Sequence, residues 1–185
     1  MTIKIQIRRG VRPDVEIIKN FDHSIKTSRV WQMQFNEQQN EISTRFVQTD
    51  LPRDMKVLYP RSAELIETLW GDFASIFMAC VDQSPIGYLT LRAMFAPDLV
   101  WIKDIVIDTN WRRKGVASRL IETAIDWSEE RAIKRIQMEM SSKNYPAISL
   151  AKKMKFEFSG FNDNFYWNKD IALFFTRDIK KRLSG

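Results

Sequence analysis

Ile105-Val106-Ile107-Asp108-Thr109-Asn110-Trp111-Arg112-Arg113-Lys114-Gly115-Val116-Ala117-Ser118-Arg119-Leu120 reads as three pieces. An apolar strand ends at Ile107, and a short basic loop follows it. An amphipathic helix then opens at Gly115, its apolar stripe recurring at Val116, Ala117, Leu120, Ile121, Ala124 and Ile125 to about residue 131. The first turn of a helix carries unpaired N–H groups and a partial positive charge, so a strand-loop-helix junction of this kind suits an anion. Gly115 and Ala117 leave room for a phosphate to approach the backbone. Arg112, Arg113, Lys114 and Arg119 stand there with no acid between Arg112 and Leu120.

Outward from this junction the periodicity predicts regular elements on both sides. Residues 75–81, 86–94 and 100–107 form an antiparallel meander, turning at 82–84 and at Ala96-Pro97-Asp98. Downstream, residues 135–140 read as a strand, 145–154 as a helix, and 156–161 and 171–178 as final strands. Upstream, Ile3, Ile5 and Ile7 open the chain as a half-buried strand, and a short helix covers residues 13–21. A hairpin then places Trp31, Met33 and Phe35 on one face, turns at 36–40 and returns through Ile42, Thr44 and Phe46. Leu51-Pro52-Arg53-Asp54 and Tyr59-Pro60 are expected to break the chain, and 62–70 has helical spacing with Ser62 as its cap. The expectation is an α/β (α+β) fold: one domain, residues 1–185, with a mixed, mostly antiparallel sheet of about seven strands and helices on both faces.

Composition narrows the function classes. The 185 residues are 44% hydrophobic and 12% aromatic, ample for one core and too apolar for disorder. A lone cysteine, Cys80, makes no internal disulfide and no structural zinc site by itself. The longest nearly apolar run, 73–81, is far short of the roughly 18 residues of a membrane span, and the N-terminus lacks the apolar core of a signal peptide. A cytoplasmic protein with no membrane partner and no metal is expected. Twenty-nine basic against 23 acidic residues give a net charge of +6, open to nucleic acid, a membrane surface or a phosphorylated small ligand.

Arg112, Gly115 and Ala117 resemble the acyl-CoA signature Arg/Gln-x-x-Gly-x-Gly/Ala of the GNAT superfamily of N-acyltransferases. A second block, Asn144-Tyr145-Pro146-Ala147-Ile148-Ser149-Leu150-Ala151-Lys152-Lys153-Met154-Lys155-Phe156, is similar to the family's Asn-x-x-Ala-x-x-x-Tyr-x-x-x-Gly-Phe. The strand Trp101-Ile102-Lys103-Asp104-Ile105-Val106-Ile107 and the Phe-rich tail look most like the streptothricin-type antibiotic acetyltransferases. The resemblance implies an acetyl-CoA-dependent N-acetyltransferase acting on a primary amine of a small molecule or peptide by direct transfer in a ternary complex. It implies that backbone from Arg112 through Arg113, Lys114, Gly115, Val116 and Ala117 to Ser118 holds the CoA pyrophosphate. Ile105 and Ile107 would pair with the pantetheine arm, Val106 N–H would meet the thioester oxygen, Asn144 would touch the pantetheine, and Lys152 would lie near the phosphates. Two departures stand out: Ala151 replaces the tyrosine thought to protonate the leaving thiolate, and Lys155 replaces the glycine.

The acceptor amine must be neutral to attack, so a group at the cleft has to take its proton. Asp104 and Glu139, on the two strands flanking the presumed cleft, are the base candidates, with salt-bridge partner as the plain alternative. Water, Tyr145 or Tyr166 is the expected substitute for the missing acid. Asn144 has the position of a helix cap as well as of a ligand contact. His23 reads as a surface residue and Cys80 as core. The C-terminal aromatics leave a homodimer contact open. Two other readings remain beside transfer: a CoA-binding regulatory protein of the same fold, motivated by Ala151, and a basic nucleic-acid-binding module, for which no recognised motif is present. No nucleic-acid partner is therefore expected.

Overall fold

The computed structural model describes residues 4–94 and 98–179. Ile3 and the turn residues Ala96 and Pro97 lie outside the described residues. In chain order the elements are β1 (Gln6–Arg9), α1 (Asp14–Lys19), β2 (Ile25–Gln38), β3 (Glu41–Val57), α2 (Leu65–Thr68), β4 (Ser75–Val81), β5 (Ser84–Ala93), β6 (Leu99–Ile107), α3 (Val116–Glu129), β7 (Arg135–Ser141), α4 (Tyr145–Lys153), β8 (Glu157–Asn162) and β9 (Ala172–Asp178). Seven strands form the main sheet in the order β1-β4-β5-β6-β7-β9-β8, and β2 with β3 makes a separate hairpin. Among the described residues only β6 and β7 pair in parallel, as expected for strands joined by a crossover helix. The mixed, mostly antiparallel α/β architecture read from the sequence is the one observed.

Two apolar layers hold the sheet from opposite faces. Leu120, Ile121 and Ala124 of α3 and Ile148 and Ala151 of α4 pack on Leu89, Leu91 and Ile102. On the other face, Ile18 of α1 and Ile66 of α2 cover Ile76, Met78, Tyr88 and Val106. Each fully buried aliphatic side chain contributes about 1.5–3 kcal/mol. Burial of this size explains why the single turn of α2 exists: a four-residue helix has no stability of its own, and Ile66 anchors it to the sheet.

A β-bulge decides what each face of β6 presents. Thr90 pairs with Asp104 and Leu91 with Ile102, so Lys103 is the extra residue. A one-residue shift flips every following side chain to the opposite face. Val100 and Ile102 therefore join the α3/α4 layer, whereas Val106 joins the α1/α2 layer and Asp104 stands beside Thr90.

Three local expectations are corrected. Leu51-Pro52-Arg53-Asp54 does not break the chain: β3 runs on to Val57. Pairing passes from Arg29↔Asp50 to Thr27↔Met55, so residues 51–54 bow out opposite Ser28, and Pro52, without an amide proton, falls where no ladder bond is required. The hairpin turn is the two residues Gln39 and Asn40, with Asn36 and Glu37 paired in the ladder. The helix expected over 62–70 shrinks to α2 and a 3-10 turn at Trp70–Asp72, and Ser62 is not its cap.

Candidate active site

β6 and β7 pair from Leu99↔Arg135 to Ile102↔Met138 and then part, although both strands continue. The Lys103 bulge lies immediately after the last pair and turns β6 away. The gap is a narrow cleft, lined by Ile105, Met138, Met140, Asn144 and Ala147 and closed by His23, Tyr59, Arg61, Glu139 and Tyr166. In an antiparallel ladder, backbone groups alternate between the two sides of a strand. Asp108 N–H donates to the Ile86 carbonyl at 2.9 Å, and a Cβ on Gly87 would lie 2.8 Å from the Val106 carbonyl oxygen. Val106 is thus directed at β5, and the amides of Ile105 and Ile107 face away from it. The expectation that Val106 N–H meets a thioester is corrected by this register: the cleft-side amides are those of Ile105 and Ile107.

Beyond β6, the Asp108 carboxylate accepts from Asn110 N–H and starts a 3-10 turn at Thr109–Trp111. Arg113 (φ 64) and Gly115 (φ 81) then take left-handed conformations and fold the loop into the start of α3. No side chain caps α3, and the amides of Arg113 through Ser118 have no acceptor among the described residues. Successive free amides at a helix N-terminus form an anion-binding concavity. Arg113 and Lys114 are exposed beside it, with the Lys114 ammonium 5.0 Å from the Trp111 ring centroid. Lys152 Nζ lies 4.1 Å from the Trp31 centroid on the hairpin. Arg112 is turned inward: Nε donates to the Ile107 carbonyl at 3.0 Å, Nη1 to the Ser24 carbonyl at 2.9 Å and Nη2 to the Asp22 carbonyl. Its guanidinium ties the chain before β2 to the end of β6, a role its place in the motif did not announce. Arg119 donates to the Ile5 carbonyl at 3.0 Å.

Asn144 caps α4, its side-chain oxygen accepting from Ala147 N–H at 3.1 Å, and it also lines the cleft. Tyr145 is elsewhere: its hydroxyl accepts from Arg29 Nη1 at 3.3 Å, which lowers its pKa, and it is not among the cleft-lining residues. Tyr166, 6% exposed, lines the cleft, as Tyr59 does.

The structure brings Asp104 and Glu139 together through a residue the sequence reading passed over. Arg61 Nε reaches Asp104 at 3.2 Å and Nη1 reaches Glu139 at 2.6 Å, while Nη2 donates to the Tyr59 hydroxyl at 3.2 Å and to the Lys103 carbonyl. Lys103 Nζ takes the other Glu139 oxygen at 3.0 Å. Asp104 also accepts from Tyr59 and, at 2.7 Å, from Thr90. Burial works to raise the Asp104 carboxyl. The Arg61 charge and the bonds from Tyr59, Thr90 and Arg61 outweigh it and hold the group below its usual range. Two carboxylates buried in apolar strands demand a cation, but nothing in the sequence picks Arg61, in an irregular segment, from 29 basic residues.

His23 is half-buried at the cleft, not on the surface. Nδ1 is 2.7 Å from the Phe21 carbonyl and so carries the proton, which leaves Nε2 to accept from the Tyr88 hydroxyl at 2.9 Å. Burial lowers its pKa against the opposing pull of the Phe21 carbonyl, Asp104 and Asp22, with Arg112 adding to the lowering. Among the described residues no group of three or more His, Cys, Asp or Glu could hold a metal, and no helix is long and apolar enough to cross a membrane.

Comparison with known proteins agrees with this geometry. Over 86 residues the chain is 33% identical to the L-amino acid N-acetyltransferase AaaT of Escherichia coli (strain K12), covering 45% of this chain and 53% of that protein. The chain thus spans about half the length of that relative. It is 25% identical over 164 residues to the streptothricin acetyltransferase of Streptomyces lavendulae, covering 85% of each. A structure from Bacillus anthracis str. Ames, assigned as a streptothricin acetyltransferase and in complex with acetyl coenzyme A, superposes with a TM-score of 0.75 at 20% identity, covering 95% of this chain and 99% of that one. The sequence model of the acetyltransferase (GNAT) family matches residues 39–156, a span that includes the splayed strands, the uncapped helix and α4, and the chain belongs to that family.

Proposed function

We propose that this protein is an acetyl-CoA-dependent N-acetyltransferase, a single catalytic domain that transfers the acetyl group directly to a primary amine of a small molecule. The observation that carries the reading is the alignment of the β6/β7 splay with the free amides of Arg113 through Ser118: a strand-like gap ends at an anion cradle. Acetyl-CoA, when bound, supplies the activated acyl group as a thioester. The cradle amides, flanked by Arg113 and Lys114, hold a pyrophosphate. Backbone of Ile105 and Ile107 offers the pantetheine an edge to pair with, and Asn144 lines its path. The balanced reaction converts an ammonium and a thioester into an amide, a thiol and one released proton: a C–N bond forms, the C–S bond breaks and the leaving sulfur is protonated.

Asp104 and Glu139 are committed to Arg61 and Lys103, so we assign them to positioning. The proton acceptor is His23, kept neutral by burial, and because the Tyr88 hydroxyl already donates to its Nε2, the proton reaches it by way of that hydroxyl. Asp22, Asp104, Tyr59, Tyr88 and Arg112 are the titratable groups around it. A base works only when deprotonated, so turnover falls as pH drops through the His23 pKa, with a midpoint below the usual histidine value. His23→Gln should remove this limb from the kcat/KM profile; a profile unaltered by the substitution would rule the role out.

The direct test is acetyl-CoA titration by calorimetry, followed by thiol release across a panel of amines that includes streptothricin, as the relationship to the Streptomyces lavendulae enzyme suggests. Binding at tens of micromolar or below with amine-dependent thiol release is expected. Ala151, fully buried and without a hydroxyl, favours one other reading, a CoA binder without turnover; binding with no thiol release would establish it.

A further inference from the structure

We infer that Arg112 is the positioning residue for His23, fixing the turn that bears the proton acceptor to the loop that forms the anion cradle. This rests on the transferase reading and adds to it a residue that acts through His23. His23 lies in the irregular stretch between α1 and β2, and the carbonyls on both sides of it accept from one guanidinium. Arg112 Nη1 reaches the Ser24 carbonyl at 2.9 Å and Nη2 the Asp22 carbonyl, while Nε holds the Ile107 carbonyl at 3.0 Å at the end of β6. Three bonds from a rigid planar group fix orientation as well as distance. The turn also closes on itself. Asp22 Oδ1 accepts from the Ser24 N–H at 2.9 Å and from the Ser24 hydroxyl at 2.7 Å, and the His23 Nδ1–H donates to the Phe21 carbonyl at 2.7 Å. Ring and turn are therefore one unit, and Arg112 ties that unit to β6.

The main chain and side chain of Arg112 serve different ends. The main chain leads into the left-handed turn at Arg113 where the free amides begin, whereas the side chain runs inward to the histidine turn. One residue thus sets the base relative to the site of the cofactor phosphates, and so relative to the thioester. The guanidinium also acts on the imidazole by its charge. Burial and, to a smaller extent, Arg112 disfavour the protonated ring, against the pull of the Phe21 carbonyl, Asp104 and Asp22. Tyr59 and Tyr88 face the ring from the segment after β3 and from β5, and Arg61, Lys103 and Glu139 line the same cleft. Removing Arg112 withdraws a cation and loosens the turn, and both changes favour protonation.

His23 is the only histidine, so its imidazole signals in the NMR spectrum of the untagged protein need no assignment. Their titration midpoint should rise in Arg112→Met relative to wild type, a shift that requires no substrate. With streptothricin, or whichever amine of the panel is acetylated, Arg112→Met should lower kcat by at least about tenfold and acetyl-CoA affinity by no more than about threefold. The retained affinity also reports a folded protein; if Arg112→Met does not fold, the milder Arg112→Gln takes its place in every measurement. In the His23→Gln background, Arg112→Met should cost less than about twofold further in kcat, because the arginine acts through the histidine. An unmoved midpoint, or an equal loss in both backgrounds, would overturn the positioning role and leave the transferase reading standing. If no amine is acetylated, the transferase reading fails. The midpoint then decides alone: a rise supports the tie between Arg112 and the turn, and no shift refutes it.

Discussion

Gly115→Val should lower acetyl-CoA affinity about a hundredfold or more, equivalent to about 2.7 kcal/mol. Gly115 has φ 81, which a β-branched residue adopts only under strain of roughly 1–2 kcal/mol. Apart from the adjoining residues, no atom of the described residues lies within 4 Å of a Cβ built there, so the fold has no steric objection to the side chain. The added methyls would instead project at the mouth of the amide cradle, where a phosphate has to approach. Binding therefore suffers through both loop distortion and obstruction, whereas stability suffers only through the strain. Gly115→Asn separates the two, because asparagine tolerates the left-handed conformation; it should lose less affinity than valine. Calorimetry with acetyl-CoA, paired with thermal unfolding, reads both quantities. Wild-type affinity in Gly115→Val would show that the cradle does not hold the cofactor.

Arg61→Met should cost about 3–5 kcal/mol of stability at pH 7, the range for removing one partner of a buried ion pair. That is a large fraction of the roughly 5–15 kcal/mol typical of a domain. The Asp104 and Glu139 side chains are 8% and 0% exposed, so methionine in place of the guanidinium leaves Asp104 with no cation and Glu139 with Lys103 alone. The pH dependence has a definite sign. In the wild type the Asp104 carboxyl lies below its unfolded value, so its contribution is fully present above the ordinary carboxylate range and is lost as pH falls through the depressed folded value. In Arg61→Met, burial is opposed only by the Tyr59 and Thr90 bonds, and the carboxyl rises relative to the wild type. The deficit relative to wild type should therefore shrink as pH falls toward the carboxylate range, where protonation relieves the buried charge. Chemical denaturation at neutral and mildly acidic pH measures this. A loss near zero, or one independent of pH, would mean that Arg61 does not hold the two carboxylates.

Ion pairing across the splay gives the cleft its character. Arg61 enters from the segment between β3 and α2, Asp104 from β6 beyond the bulge, and Glu139 from β7 beyond the last parallel pair. The guanidinium spans two strands at the level where their backbone pairing ends and donates to the Lys103 carbonyl as well. Removing it should therefore disturb the width of the cleft as well as its charge.

The most legible features were those written in local periodicity. The apolar run ending at Ile107, the stripe from Val116 to Ile125, and the helix capped by Asn144 each depend on residues within one or two turns of one another, and each formed as read. The opening of α3 at Gly115 was legible for the same reason, whereas the left-handed turn at Arg113 and Gly115 and the inward course of Arg112 were not read. Proline at 52 misled because its cost depends on what lies opposite; a four-residue bow across from Ser28 removes that cost, and no local signal encodes the partner strand's register.

The sequence by itself determined the order of strands and helices, the basic strand-loop-helix junction at the start of α3 and the family to which the chain belongs, because these follow from spacing and backbone chemistry along a short stretch. Tertiary structure alone decided the direction of each amide and each charge. The Lys103 bulge turned Val106 toward β5, Arg112 folded inward to hold the chain before β2, His23 moved into the cleft, and Arg61 met two carboxylates 43 and 78 residues away in the chain. Those outcomes depend on register shifts and on buried charges finding partners across strands, and the free energy that selects them exists only once the sheet has formed.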